Sequence, residues 1–182
     1  MISFTDEQLM ELFRINKDGQ GDPAFDHLYN RYAKRMLNFF YYSLQNDYKK
    51  AQDFLHDLFL KIIENKARFD RSKQFQSWIY RMAYNMCKNE YRSLSIKKKY
   101  QDHVLYTEEI SDTGQKIDRD LQLCIHSLEQ EQRALIILRF KMNLSVKDIA
   151  GIMDCPEGTV KSRLFYATRE LSRMYKLENH GK

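Results

Sequence analysis

The chain has 182 residues, with 30 Lys and Arg against 25 Asp and Glu, a net charge of +5 at pH 7 and a pI near 9.0. That length holds one or two small domains, and the positive balance favours an anionic partner without identifying it. Cys87, Cys124 and Cys155 lie far apart, with no CxxC spacing and no Cys/His cluster, which excludes a disulfide framework or a zinc site and fits a reducing compartment.

The N-terminus carries Asp6, Glu7 and Glu11, unlike a secretion signal, and no apolar run approaches the length of a membrane span. A cytoplasmic location is therefore expected. Apolar residues recur with a period near 3.6 and nowhere alternate as in a strand, so the expected fold class is all-α. Thr5 with Gln8 marks a first helix start, followed by Leu9, Leu12 and Phe13; Lys17 to Gly21 breaks it. Asp22 and Pro23 open a second helix, since Asp caps and Pro suits the first position. Its apolar positions are Phe25, Leu28, Tyr29, Tyr32, Met36, Leu37 and Phe40.

A third helix is expected from Tyr48 to Asn65, with Phe54, Leu55, Leu58, Phe59 and Ile62 inward. Asp53, His56, Asp57 and Lys61 fall on its polar side, a surface suited to docking another protein. A fourth helix is expected from Gln74 to Ser93. Phe75, Ile79, Met82 and Met86 make its apolar face, and Arg81, Asn85, Lys88 and Arg92 lie roughly opposite. Around them come Arg68, Phe69, Arg71, Lys73, Trp78, Tyr80, Tyr84 and Tyr91. Cations attract a phosphate backbone, rings stack on unpaired bases, and amides such as Asn85 and Asn89 read base edges. Aromatic residues at helical spacing are more often core, and Phe75 and Ile79 are assigned there; Trp78 fits either role.

From Leu94 to Ile117 the periodicity stops, with Lys97, Lys98 and Lys99 in a row and a polar break at Ser111–Gly114, which reads as a flexible or extended linker. Helices return at Asp118, with one stripe at Leu121, Cys124, Ile125 and Leu128 and another including Leu135 and Leu138. This organisation predicts two small helical domains, residues 1–93 and 118–182, joined by the linker 94–117.

The most informative stretch is Leu144–Leu164, LSVKDIAGIMDCPEGTVKSRL. Ser145 and Asp148 form a capping-box pattern ahead of an apolar stripe at Val146, Ile149, Ala150 and Met153. Asp154 and Cys155 make the turn, because Asp tolerates a left-handed backbone. Pro156 fits the first position of the next helix, which is expected to run to about Tyr175. Val160 and Leu164 face the first helix of the pair. Thr159, Lys161, Ser162, Arg163 and Tyr166 are left for the outer surface, and Gly158 keeps the helix start slim enough for a phosphate. This is the layout of a DNA-reading helix-turn-helix; an αα-hairpin with a wetted basic face would share part of it. No acid/base pair, activated nucleophile or phosphate-cradling loop emerges, so neither catalysis nor a metal, cofactor or small-molecule substrate is expected.

Two stretches, in order, resemble the extracytoplasmic-function (ECF) sigma factors of bacterial RNA polymerase. DPAFDHLYNRYAKRMLNFF, AQDFLHDLFLKI and RFDRSKQFQSWIYRMAYNMCKNEYR, between Asp22 and Arg92, resemble sigma region 2. SLEQEQRALIILRFKMNLSVKDIAGIMDCPEGTVKSRLFYATREL, from Ser127 to Leu171, resembles region 4. The resemblance implies that Thr159, Lys161, Ser162, Arg163 and Tyr166 meet the −35 promoter element in its major groove, with Arg169 and Arg173 on the backbone. It implies that Trp78, Tyr80, Arg81, Asn85, Lys88, Asn89 and Arg92 capture and unpair the −10 element, Asn85 being the foremost candidate for a base-specific contact. It implies that Asp53, His56, Asp57 and Lys61 dock on the β′ clamp of polymerase core, where the family often has Gln-Glu in place of His56-Asp57. Polymerase core (β′ and β), promoter DNA and an anti-sigma factor are the partners implied. The other readings of the residues are a stand-alone helix-turn-helix regulator of duplex DNA, and a scaffold that binds only protein.

Overall fold

The computed structural model describes residues 4–16, 21–100 and 119–180, and the backbone alone at 95–100, 119 and 178–180. Every regular element among them is helical: α1 (Asp6–Ile15), α2 (Pro23–Ser43), α3 (Tyr48–Asn65), a 3-10 turn (Lys66–Arg68), α4 (Phe75–Tyr100), α5 (Arg119–Ser127), α6 (Gln130–Ile136), a π-helical stretch (Ile137–Lys141), α7 (Val146–Met153) and α8 (Glu157–His180). The contacts divide the chain into two units. One is Met1–Met86 with Gly151–Asp154; the other is Cys87–Ala150 with Cys155–Lys182. Most of the break expected from Lys17 to Gly21 (17–20) and most of the linker (101–117) lie outside the described residues.

In the first unit the helix starts follow from local chemistry. Thr5 and Gln8 form a capping box: the Gln8 N–H donates to Thr5 Oγ1 at 3.2 Å, and the Thr5 N–H donates to Gln8 Oε1 at 2.9 Å. Buried Asp22 accepts from the Ala24 and Phe25 N–H groups at 2.8 and 3.3 Å and opens α2 ahead of Pro23. Asp47 caps α3 through the Lys50 N–H at 2.8 Å. The chain leaves α2 through Gln45 and Asn46, both with φ above 60°, while the Asn46 N–H donates back to the Tyr41 carbonyl at 2.8 Å. That bond and the left-handed residues make a helix-terminating Schellman turn.

The core of this unit is aromatic. Phe13 stacks on Phe25 at 5.0 Å, Phe25 on Phe59 at 5.9 Å, and Tyr29 on Phe59 at 4.6 Å, which joins α1, α2 and α3. Tyr32 meets Phe75 at 5.2 Å and Phe39 meets Tyr80 at 5.8 Å, which brings α4 onto α2. Polar contacts far apart in sequence then lock α1 in place. Glu7 Oε1 accepts the Phe75 N–H at 3.1 Å, so α1 caps the start of α4. Lys66 Nζ donates to the Phe13 and Asn16 carbonyls at 3.1 and 2.8 Å, which closes the open end of α1 with a positive charge. Arg71 pairs with Glu11, and the Tyr32 hydroxyl donates to Asp6.

The second unit packs α5 and α6 against α8. Leu128, Ile136 and Ala167 are buried at its centre, with Ile125, Leu171 and Met174 packed around them. Arg133 is only 7 % exposed. Its Nη2 donates to the His126 and Leu128 carbonyls at 2.5 and 3.0 Å, at the C-terminal end of α5, where a cation offsets the helix dipole.

Two helices outrun their expected ends. α4 continues to Tyr100 rather than stopping at Ser93, and α8 reaches His180 rather than about Tyr175. Neither extension contains Gly or Pro, and Leu and Lys are good helix formers, so a loss of hydrophobic periodicity did not mean a loss of helix. The π-helical stretch was not anticipated at all. It ends at Lys141, and the chain turns away two residues later at Asn143, whose φ is 55°, with the Leu144 N–H donating to the Leu138 carbonyl at 3.0 Å.

Candidate nucleic-acid interface

The helix-turn-helix is assembled by local hydrogen bonds. The Asp148 N–H donates to Ser145 Oγ at 3.1 Å, while the Ser145 N–H and hydroxyl donate to Asp148 Oδ2 at 3.1 and 2.6 Å. α7 ends in a Schellman turn: Asp154 has φ 56°, and the Cys155 N–H donates to the Ala150 carbonyl at 3.1 Å. Pro156 stands one residue before α8 rather than at its first position, and its carbonyl accepts the Val160 N–H at 3.1 Å. Ile149 and Ile152 are the buried residues of α7; Val146, Ala150 and Met153 are only half-buried, so the inward stripe is centred differently from the one expected.

Val160 and Ala167 are fully buried and Leu164 is half-buried, which sets the inner face of α8. Lys161, Ser162, Arg163, Tyr166, Arg169 and Arg173 are exposed, as expected of an outer surface; Thr159 is half-buried. A Cβ at Gly158 would meet no atom within 4 Å, so open space surrounds the start of α8. Two of the cations are engaged within the chain: Arg163 with Glu131 of α6 at 3.0 Å, and Arg173 with Glu170 at 2.6 Å.

Sequence reasoning missed Phe165. It is 60 % exposed, and its ring lies 5.5 Å from that of Tyr166. Five residues beyond buried Val160, it sits about 140° around the helix, well onto the outer face. That angle is available from sequence once Val160 is taken as inward.

The surface of α4 differs more from expectation. Tyr80 is fully buried against Phe39 and is removed from the set of DNA-facing residues. Phe69, Phe75, Ala83, Tyr84 and Cys87 are buried as well, so the inward stripe runs through Ile79–Tyr80, Ala83–Tyr84 and Cys87. Met82 and Met86, expected at its centre, lie half-buried on its flank. Trp78 is half-buried, its ring 5.3 Å from Phe69 and 5.9 Å from Phe75, which leaves one side of the indole on the surface. Asn85, Asn89 and Arg92 are exposed, and Arg81 and Lys88 are half-buried. The outer face of α4 is thus cationic and amide-rich, with one indole at its start.

On α3, Asp53, His56, Asp57 and Lys61 are all exposed, and Leu60 lies among them at 44 % exposure. With Ile63 also exposed one turn on, this face combines apolar and charged side chains. Among the described residues, no three His, Cys, Asp or Glu side chains gather as metal ligands, and no helix is long and apolar enough to cross a membrane.

Comparison with known proteins gives these faces a context. The family model for Sigma-70 region 2 matches residues 28–95, and that for Sigma-70, region 4 matches residues 118–171. The ECF RNA polymerase sigma-E factor of Haemophilus influenzae is 30 % identical over 88 % of this chain and 93 % of its own. The chain belongs to the ECF sigma factors of the sigma-70 family. The ECF RNA polymerase sigma factor SigW of Bacillus subtilis is 26 % identical, over 86 % of this chain and 92 % of its own. Two solved structures share the fold. The sigma factor RpoE of Bartonella quintana, crystallised with the anti-sigma factor NepR, has a TM-score of 0.72 at 24 % identity, covering 84 % of this chain and 96 % of its own. CnrH, in complex with the cytosolic domain of CnrY, has a TM-score of 0.70 at 17 % identity, covering 94 % and 97 %.

In this ECF sigma factor the region 2 match takes in the charged face of α3 and the residues Trp78, Arg81, Asn85, Lys88, Asn89 and Arg92 of α4. The region 4 match takes in α6, the whole helix-turn-helix and the exposed face of α8 through Arg169. Helix α1 lies ahead of both matches, yet its Glu7 caps α4.

Proposed function

We propose that this sigma factor binds RNA polymerase core and carries it to promoters, reading duplex with α8 and holding the opened strand with α4. The observation that carries the reading is the presence of both sigma regions in one chain, each with its outward face cationic and polar. In region 4, Thr159, Lys161, Ser162, Arg163 and Tyr166 address base edges of the −35 element, and Arg169 and Arg173 its phosphates. In region 2, Trp78 supplies a surface aromatic for stacking, Asn85 and Asn89 read unpaired bases, and Arg81, Lys88 and Arg92 follow the backbone. Tyr80 supports this surface from beneath. Asp53, His56, Asp57 and Lys61, with Leu60 among them, dock on the β′ clamp.

Each DNA face is small, so each binds weakly alone; fixing their spacing on polymerase makes the second contact intramolecular and raises the combined affinity. The protein directs the enzyme and catalyses nothing itself. An anti-sigma factor that covers these faces is the natural antagonist, and the cytoplasm is where the chain works. Run-off transcription from genomic fragments tests the reading: core plus this protein yields products at defined starts and core alone does not. No template-dependent product with an active core would sink it.

A further inference from the structure

The Glu131–Arg163 pair joins the first turn of α6 to the outer surface of α8. One Glu131 oxygen, Oε2, accepts from Arg163 Nη1 at 3.0 Å; both side chains are close to half exposed. An exposed, single-contact pair of this kind adds little to stability. Its consequence is geometric. Arginine loses much side-chain freedom when it is ordered, and a partner on a rigid helix takes part of that loss before DNA arrives. Nη1 carries two of the five guanidinium protons, and the bond to Glu131 leaves the edge formed by Nε and Nη2 open. Two parallel N–H groups on one edge are what a guanine O6/N7 pair accepts.

We propose, building on the promoter-recognition reading above, that Glu131 is a positioning residue for base readout: it holds Arg163 with its Nε–Nη2 edge turned to a guanine of the upstream element. Glu131 also places a negative charge beside a groove whose phosphates repel it. The two effects act in opposite directions on specific and non-specific binding, which separates them from a general weakening of the fold.

The test uses the full chain with polymerase core and a promoter library randomised across the upstream element, selected by run-off product. The wild type is expected to enrich guanine at one position, and Arg163→Ala to lose that preference. Glu131→Ala is expected to reduce the same preference by about tenfold while tightening binding of the free protein to an unrelated duplex at low salt. Glu131→Gln, which keeps length and acceptor but not charge, is expected to fall between. In the Arg163→Ala background, Glu131→Ala changes the profile no further, because the pair acts as one unit.

A profile unaltered in both Glu131→Ala and Glu131→Gln, or one changed equally with and without Arg163, overturns the proposal. So does a gain in affinity for the selected promoter without loss of preference, which would make Glu131 a guard that DNA displaces. If the wild type starts no transcription, the promoter reading itself has failed, and that outcome is distinct from an active wild type whose profile ignores Glu131.

Discussion

At the scale of single residues, position on a helix separates residues of similar composition. Tyr80 and Trp78 are two residues apart, and one is fully buried while the other keeps part of its ring at the surface. In a helix this rich in aromatics, apolar periodicity leaves the inward direction uncertain by one residue, or about 100°. Tyr80 was therefore misplaced from sequence, whereas Lys161, Ser162 and Arg163 were placed outward correctly because Val160 and Leu164 left a single inward direction. Gly158 gives a sharp test at this scale. Its surroundings are empty, and Ala is the better helix former by up to about 1 kcal/mol. Gly158→Ala is expected to leave thermal stability unchanged or slightly raised and yet weaken promoter binding, since the added methyl stands where a phosphate approaches. Equal promoter affinity in a stable variant would show that no phosphate comes there.

At the scale of elements, what was legible was local. Thr5 with Gln8, Asp22 with Pro23, Ser145 with Asp148, and Asp154 at the turn all act within a few residues, and each does in the structure what its side chain permits. What was not legible joins distant positions. Glu7 caps α4 across 68 residues, and Lys66 closes α1 across 53. No periodicity encodes such pairs. Arg133 was not legible either, although its carbonyl partners lie only five and seven residues away: it follows three polar residues at the head of the apolar run Ala134–Leu138 and reads as a surface arginine. Its neighbour His126 carries a pH signature. Burial first, and then the charge of Arg133, lower the His126 pKa from 6.5 to about 4. A histidine kept neutral when folded favours the unfolded state as that state takes up a proton. Its contribution is whole above pH 6.5 and is lost as the pH falls toward 4. Thermal melts across that window should show falling stability, and His126→Gln should flatten this part of the curve. An unchanged pH dependence in the variant would place the loss elsewhere.

At the scale of the whole molecule, the two sigma regions account for why one small chain carries two polar helix faces of different character, each proposed above to meet nucleic acid. The α8 face has cations and aromatic rings on a helix exposed at its start, suited to entering a groove. The α4 face has amides, cations and a single indole, suited to a strand already unpaired. A stand-alone regulator needs only the first, and a protein scaffold needs neither. The all-helical class, the helix-turn-helix and the family resemblance were readable from sequence because each rests on local patterns of caps, turns and spacing. The composition of the α4 face was not, because it depends on which aromatics the tertiary packing withdraws.

The most direct measurement is strand-resolved footprinting of a selected promoter with the chain alone, with core alone and with both, together with permanganate reactivity of unpaired thymines. The account predicts two separated protected segments only when both proteins are present. The upstream segment should remain duplex, and the downstream one should contain reactive thymines. Equal protection by the chain alone with no unpaired bases, or opening by core without it, would contradict the account.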